Sequence, residues 1–229
     1  MKPSLRFLTF SILMCMVFTA CRKHGDNEDL KDKNDPVSDY MSTKKGSWWL
    51  YASADGTVLK RRATGRDSMK MDLVFNYYES TDTNSGHVTP EYFGKNGDKY
   101  IMLIDIDGSE TNYMPAVIQK DNAKVGDTWD NTGTIKYGAL GKIDLLTQGE
   151  VMSVNGTMTI NGHIYTHVTE IDNKLKAKPA ANPAYIKCGT AKMWFSKGVG
   201  VIKSEFNINI MGIIKKEYKD SIVDYYIEP

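Results

Sequence analysis

The chain has 229 residues, with 29 Lys or Arg against 28 Asp or Glu and a formal net charge of +1. Such balance supplies no electrostatic pull toward nucleic acid and no long-range field toward an anionic surface. At the amino end, Lys2 and Arg6 precede a mostly apolar run, Phe7–Phe18, of 12 residues. A helix needs about 20 apolar residues to cross a bilayer, so the run is too short for an anchor. Small Thr19 and Ala20 follow, as a cleavage site requires. Residues 1–20 therefore read as a signal peptide. Without Lys2 and Arg6, 27 basic residues face 28 acidic ones, a net charge of −1.

Phe18-Thr19-Ala20-Cys21 resembles a lipobox, the motif read by bacterial lipoprotein signal peptidase, with Phe18 in place of the usual Leu. The resemblance implies that the Cys21 thiol takes a diacylglyceryl group and that cleavage exposes its amine for further acylation. One acyl chain holds a protein only marginally on a bilayer, whereas several anchor it durably. The expected location is the cell envelope, lipid-anchored to the outer membrane on its periplasmic or surface face. Cys15 lies in the removed run and Cys21 is consumed by lipid, leaving Cys188 with no disulfide partner. Cys188 reads as a small buried hydrophobe.

After Cys21, residues 21–46 read as a disordered tether. Asp26–Pro36 is nearly all charged or amide and buries too little apolar surface to offset chain entropy. The acids in this stretch also suit a surface-export signal, although Arg22 and Lys23 precede them.

Residues 47–229 read as a single domain of ordinary size. Trp48–Ser53 and Thr57–Arg62 flank Asp55-Gly56, a pair suited to a tight hairpin. Met69–Glu79 alternates, with Met69, Met71, Leu73, Phe75 and Tyr77 on one face. Tyr100–Ile106, Tyr113–Gln119, Ile143–Val154, Thr157–Ile160, His163–Ile171, Lys192–Phe195, Gly200–Ile210 and Ile213–Tyr226 follow, punctuated by Lys95–Asp98, Asp107-Gly108, Asn155-Gly156 and Asn161-Gly162. Helical periodicity over three turns is absent. The pattern predicts an all-β domain: a strongly curved antiparallel sheet, partly or fully closed into a barrel, with a two-sheet β-sandwich as the alternative.

Val125-Gly126-Asp127-Thr128-Trp129, Asn161–Val168 and Trp194–Lys203 together resemble an uncharacterised family of Gram-negative envelope lipoproteins. In that family G-x-x-W, N-G-x-x-Y-x-x-V and W-(F/Y)-x-x-G-V-G-x-(V/I)-K recur. The resemblance implies a periplasmic or surface β-domain and carries over no catalytic residue. Physically the motifs look structural: Gly198 and Gly200 suit a turn entering a strand, and Trp129 and Trp194 suit a core.

Trp48 and Trp49 are the candidate ligand-binding residues. Adjacent on a strand, they face opposite sides, so one is core and the other is covered by a second layer, a ligand or a partner. An exposed aromatic face stacks on sugars, which makes a glycan one candidate ligand. His163 and His167 share a strand face but stand about 13 Å apart when extended, too far for one ion. Asp105–Glu110 echoes a calcium loop without its full ligand set. No metal and no cofactor is expected. Asp67-Ser68-Met69 and Asp220-Ser221-Ile222 match a three-residue pattern used for O-glycosylation in some Gram-negative envelopes.

Catalytic signatures are lacking: there is no G-x-S-x-G elbow, no H-E-x-x-H helix and no phosphate-cradling glycine loop. The leading expectation is a non-catalytic module that binds an apolar or glycan ligand, or an envelope protein, in a concave sheet face or barrel mouth. Met69, Met71, Met102, Met114, Met152 and Met158 are candidates to line an apolar cavity. The alternatives are a structural or assembly lipoprotein acting through its surface, and a hydrolase using two convergent carboxylates.

Overall fold

The computed structural model describes residues 40–105, 113–137, 141–180, 182–212 and 214–229. These fall in one compact unit, Asp35–Pro229. The expected signal peptide, Cys21 and most of the expected tether lie outside the described residues.

Twelve strands follow one another along the chain: β1 Trp48–Ser53, β2 Val58–Lys70, β3 Leu73–Asp82, β4 Val88–Asn96, β5 Lys99–Asp105, β6 Tyr113–Lys120, β7 Thr128–Tyr137, β8 Gly141–Ile160, β9 His163–Pro179, β10 Ile186–Ser196, β11 Gly200–Ile210 and β12 Ile214–Tyr226. All belong to a single antiparallel sheet, ordered β6-β5-β4-β3-β2-β1-β12-β11-β10-β9-β8-β7. The expected curved, barrel-shaped sheet is what forms, and a sandwich of two sheets is not. Pairing of β1 with β12, Trp48 opposite Tyr226 and Ser53 opposite Asp220, joins the two ends of the meander.

The remaining edges, β6 and β7, meet at a seam built from side chains instead of a backbone ladder. Val117 on β6 donates its N–H to Asn131 Oδ1 at 2.9 Å. Its carbonyl accepts from Trp129 Nε1 at 2.7 Å and from Asn131 Nδ2 at 3.4 Å. The Asn131 amide thus imitates a peptide group and satisfies two groups of an open sheet edge. Thr147 Oγ1 holds the amide from β8, accepting from Asn131 Nδ2 at 3.0 Å. Gly149 makes room for the Trp129 indole, since a Cβ there would stand 2.5 Å from Nε1. The tryptophan of the G-x-x-W element is thus part of the seam.

Eight strands make a barrel about wide enough for its own side chains to fill, and twelve enclose more. Large buried residues occupy the interior, among them Trp49, Tyr78, Phe195, Ile171 and Ile202. Chain preceding β1 also enters it. Tyr40 sets its ring edge-on to Tyr100 and Phe195, with centroids 5.4 and 6.2 Å away. Met41 is buried in the main core, and Tyr78 donates its hydroxyl to the Ser42 carbonyl at 2.8 Å. Residues 40–46, expected as the end of the tether, therefore pack on the barrel. Tyr40 and Met41 stand at the polar stretch's far end, where the charge run has already stopped.

A second small core, Phe75, Tyr92, Ile101 and Leu103, lies on the other face of β3–β5. These residues alternate with Asn76, Phe93 and Met102, which take the barrel face. Both faces of this part of the sheet are thus apolar, which blurs the alternation in the sequence.

Several expected strands differ in extent. Met69–Glu79 is not one strand: Met71 and Asp72 turn with φ of 52° and 60°, ending β2 and starting β3. Met69, Met71 and Met152 are consequently exposed at 73%, 59% and 45% and line no cavity, while Met114 is buried and Met102 packs against the core. Asn155-Gly156 is not a turn. β8 runs through it with register shifts, so Asn155 (φ 54°) belongs to a bulge that bends the strand.

Candidate functional site

Directly opposed residues in an antiparallel pair share a face. Arg61 stands opposite buried Trp49 on one side and buried Ser80 on the other, so its side chain enters the barrel. Glu91 arrives from β4, opposite buried Tyr78. The two meet at 2.7 Å between Nη2 and Oε2. The guanidinium lies 4.9 Å from the Tyr51 ring centroid and 5.1 Å from that of Phe93, an arrangement in which both aromatic faces stabilise the cation. Nη1 donates to Tyr51 Oη at 3.1 Å, and that hydroxyl donates to the Val201 carbonyl at 2.9 Å. Arg61 Nε is buried and has no hydrogen-bond partner.

Asp220 joins from β12, which lies on the far side of β1 from β2 in the same wall. It faces Ser53 and Ser204 across the ladders, and the Ser53 hydroxyl donates to its carboxylate. Burial pushes the Asp220 carboxyl above its ordinary pKa, with the Ser53 hydrogen bond and Arg61 opposing. Burial also raises the Tyr51 phenol to about 12. For Arg61, burial works against the charge, but Glu91 and Tyr51 more than offset it and hold the guanidinium above its usual value.

Tyr218 completes the set. It is paired with Phe206, whose ring stacks on it at 4.6 Å and 20°. Burial, followed by Asp220 and Glu91, drives its phenol upward, yet 38% of the residue stays accessible. Tyr218 shares its face of the sheet with buried Phe206 and still keeps solvent access. This stretch of the inner face combines an aromatic platform, one guanidinium, two carboxylates and phenolic and serine hydroxyls.

The residues singled out in the sequence lie elsewhere. Trp49 is fully buried and donates Nε1 to the Val199 carbonyl at 2.6 Å, leaving no face for a ligand. Trp48 points outward between Tyr226 and Arg62, with Lys60 Nζ 4.7 Å above its ring. The structure does not bring these two tryptophans together into one site. His163, His167 and His87 are exposed, and no metal-binding cluster of His, Cys, Asp or Glu occurs among the described residues. Of the calcium-like loop, only Asp105 lies among them. Ser68 and Ser221 are half-buried within β2 and β12. The W-F-x-x-G-V-G element is a dock for the entering chain: a Cβ on Gly200 (φ 111°) would stand 2.7 Å from Met41 Sδ and 2.9 Å from the Tyr40 carbonyl oxygen.

Sequence reasoning missed Arg61, Glu91 and Asp220 because each sits in a strand where a charge normally marks the solvent face. One signal existed: Arg61 is two residues from Ala63 and Leu59, on their side of the strand.

A 490 Å³ groove opens on β7–β9, lined by Thr128, Trp129, Asp130, Gln148, Gly149, Glu150 and Lys174. Its polar groups already pair among themselves, Gln148 with Asp130 and Lys174 with Glu150.

No protein-family description matches this chain, and no curated protein matches it. Among solved structures it is similar to a candidate lipoprotein from Parabacteroides distasonis ATCC 8503. That pair shares 12% identity and a TM-score of 0.48, covering 83% of this chain and 99% of the other. It is also similar to a candidate exported protein with a YmcC-like fold from Bacteroides fragilis NCTC 9343, at 13% identity and TM-score 0.49, covering 80% and 97%.

Proposed function

We propose that the protein is an outer-membrane lipoprotein, held by acylated Cys21, whose barrel binds a glycan on the inner face around Arg61 and Tyr218. The lipidation reading rests on the signal-peptide pattern and Phe18-Thr19-Ala20-Cys21. The binding reading rests on one observation: Tyr218 is accessible while facing the barrel interior beside Phe206, Asp220 and Arg61. A sugar ring offers an apolar C–H face for the phenol and hydroxyls that donate to carboxylates and accept from guanidinium. Membrane attachment comes from the lipid, and the barrel adds the ligand; no cofactor enters this reading.

Glu91 and Asp220 both lie on this stretch of the inner face, which favours a second reading as a carboxylate hydrolase. Against it, Glu91 is engaged by Arg61 at 2.7 Å, which keeps it a structural partner of the cation.

The test uses the full acylated chain in detergent, with saturation-transfer NMR and calorimetry over a panel of soluble oligosaccharides. Expected are saturation of sugar ring protons and at least tenfold weaker binding on Tyr218→Ala. Binding that survives Tyr218→Ala and disappears on Trp48→Ala would move the site to the outer wall. Cleavage of the bound sugar, read by chromatography, would establish the hydrolase. Replacing Cys21 by Ala should abolish lipid labelling and leave uncleaved precursor; continued labelling refutes the anchor.

A further inference from the structure

In an antiparallel meander, alternate turns lie at the same end of the barrel. The end at which the chain enters therefore also carries the β2–β3, β4–β5, β6–β7, β8–β9 and β10–β11 turns and the end of β12. Four aliphatic side chains stand out there: Met69, Met71, Val125 and Ile164, exposed at 73%, 59%, 62% and 70%. They come from three separate turns, so no local peculiarity of one hairpin accounts for them. At the opposite end the Asp55-Gly56 and Thr83–His87 turns are polar, and the most exposed large apolar residue described there, Met211, reaches 48%.

The same end holds the half-exposed pair Trp48 and Tyr226, the first residue of β1 and the last of β12. Amphipathic aromatic rings suit a boundary that is apolar on one side and wet on the other. Lys44, Lys45, Lys70 and Lys124 sit among the apolar tips, with Asp72, Asp98 and Asp127 interspersed. Long lysine stems lie along apolar surface with their heads in water. Because acids and lysines intermingle, apolar contact and not net charge has to carry any attachment.

We infer that this end of the barrel docks on the bilayer surface, Met69, Met71, Val125 and Ile164 entering the headgroup boundary and Trp48 and Tyr226 lying at its level. The inference rests on the lipid anchor proposed above, and it identifies the occupant through the connecting chain. Residues 22–39 separate Cys21 from Tyr40. Even fully extended, 18 residues reach at most about 65 Å, which keeps this end at high effective concentration against the membrane that holds the lipid. Residues 40–46 then fix the point of entry on the barrel. Docking in this orientation turns the polar end outward.

Single-cysteine labelling tests this on the full acylated chain in phosphatidylethanolamine–phosphatidylglycerol vesicles. The native Cys188 stays silent, being buried with its thiol pushed up to about 11. An environment-sensitive fluorophore on Met71→Cys or Ile164→Cys should shift to shorter wavelength when vesicles are present. On Asp55→Cys or Ser85→Cys it should not move. Equal shifts at both ends, or none at residues 71 and 164, overturn the inference. Intact mass of the same samples reads the acyl chains separately. If they are missing, anchoring at Cys21 falls, while the labels still report whether this end meets the bilayer.

Discussion

Replacing Asn131 by Leu tests whether one side chain closes the β6–β7 seam. Leu keeps the branched four-atom skeleton of Asn131, with bulkier methyls at its tips, but offers neither donor nor acceptor. The Val117 N–H then loses its Asn131 acceptor, and an unsatisfied, part-buried amide costs about 1–3 kcal/mol. The Thr147 hydroxyl loses a donor at 3.0 Å, adding about 0.5–1.5 kcal/mol. The Val117 carbonyl keeps Trp129 and contributes nothing further. New apolar burial by Leu offsets roughly 1 kcal/mol, leaving a net loss of about 2 kcal/mol. For a domain of this size that lowers the thermal midpoint by about 4–8 °C. Asn131→Asp keeps the acceptor for Val117 N–H and should retain that amide's protection. Calorimetry gives the midpoint, and hydrogen exchange reads the Val117 amide directly. A Leu variant whose Val117 amide exchanges as slowly as wild type would refute the side-chain seam, whatever its stability.

The chain ahead of β1 gives a second prediction. Removing residues 22–39 should leave the midpoint unchanged, whereas removing 22–46 should lower it, because Tyr40 and Met41 leave the core; equal midpoints would show that the segment contributes nothing. Gly200→Val should have a related effect, since its φ of 111° disfavours a side chain and its Cβ would strike Met41. Limited proteolysis near residue 45 should accelerate in that variant, and an unchanged cleavage rate would contradict the dock.

Asp220 gives a pH dependence whose sign can be worked out. Its folded pKa is raised above the ordinary 3.8, so the folded state holds the proton longer than the unfolded one. Folding is then penalised as pH rises from about 3.8 through the raised value, and the penalty stays at neutral pH. Asp220→Asn should gain stability over wild type as pH rises through that window, with the difference shrinking toward pH 3, as denaturant titrations at several pH values would show. A difference independent of pH would mean that Asp220 ionises as freely folded as unfolded.

The all-β reading, the hairpins at Asp55-Gly56 and Asn161-Gly162, and the buried state of Cys188, Trp129 and Trp194 were legible in residue order, because each depends on local backbone preference or on side-chain polarity alone. β4 and β7 were not. Pro90 and Gly94 interrupt the first, and the second reads Thr-Trp-Asp-Asn-Thr-Gly, its core-facing Asn131 indistinguishable from a turn residue until Val117 lies opposite. The Met71-Asp72 turn escaped notice because residues other than glycine rarely take positive φ.

By itself, the order of residues supported the expectation of an export signal, a lipidation site and a polar linker, and determined a run of antiparallel strands, since these follow from composition and near-neighbour spacing. Only the tertiary structure decided that the strands form one sheet and that β1 meets β12. It alone brought Arg61, Glu91, Asp220 and Tyr218 from three different strands onto one stretch of the barrel's inner face. The reason is physical: a charge on a strand looks the same on either face, and which face is enclosed depends on how the whole sheet curls.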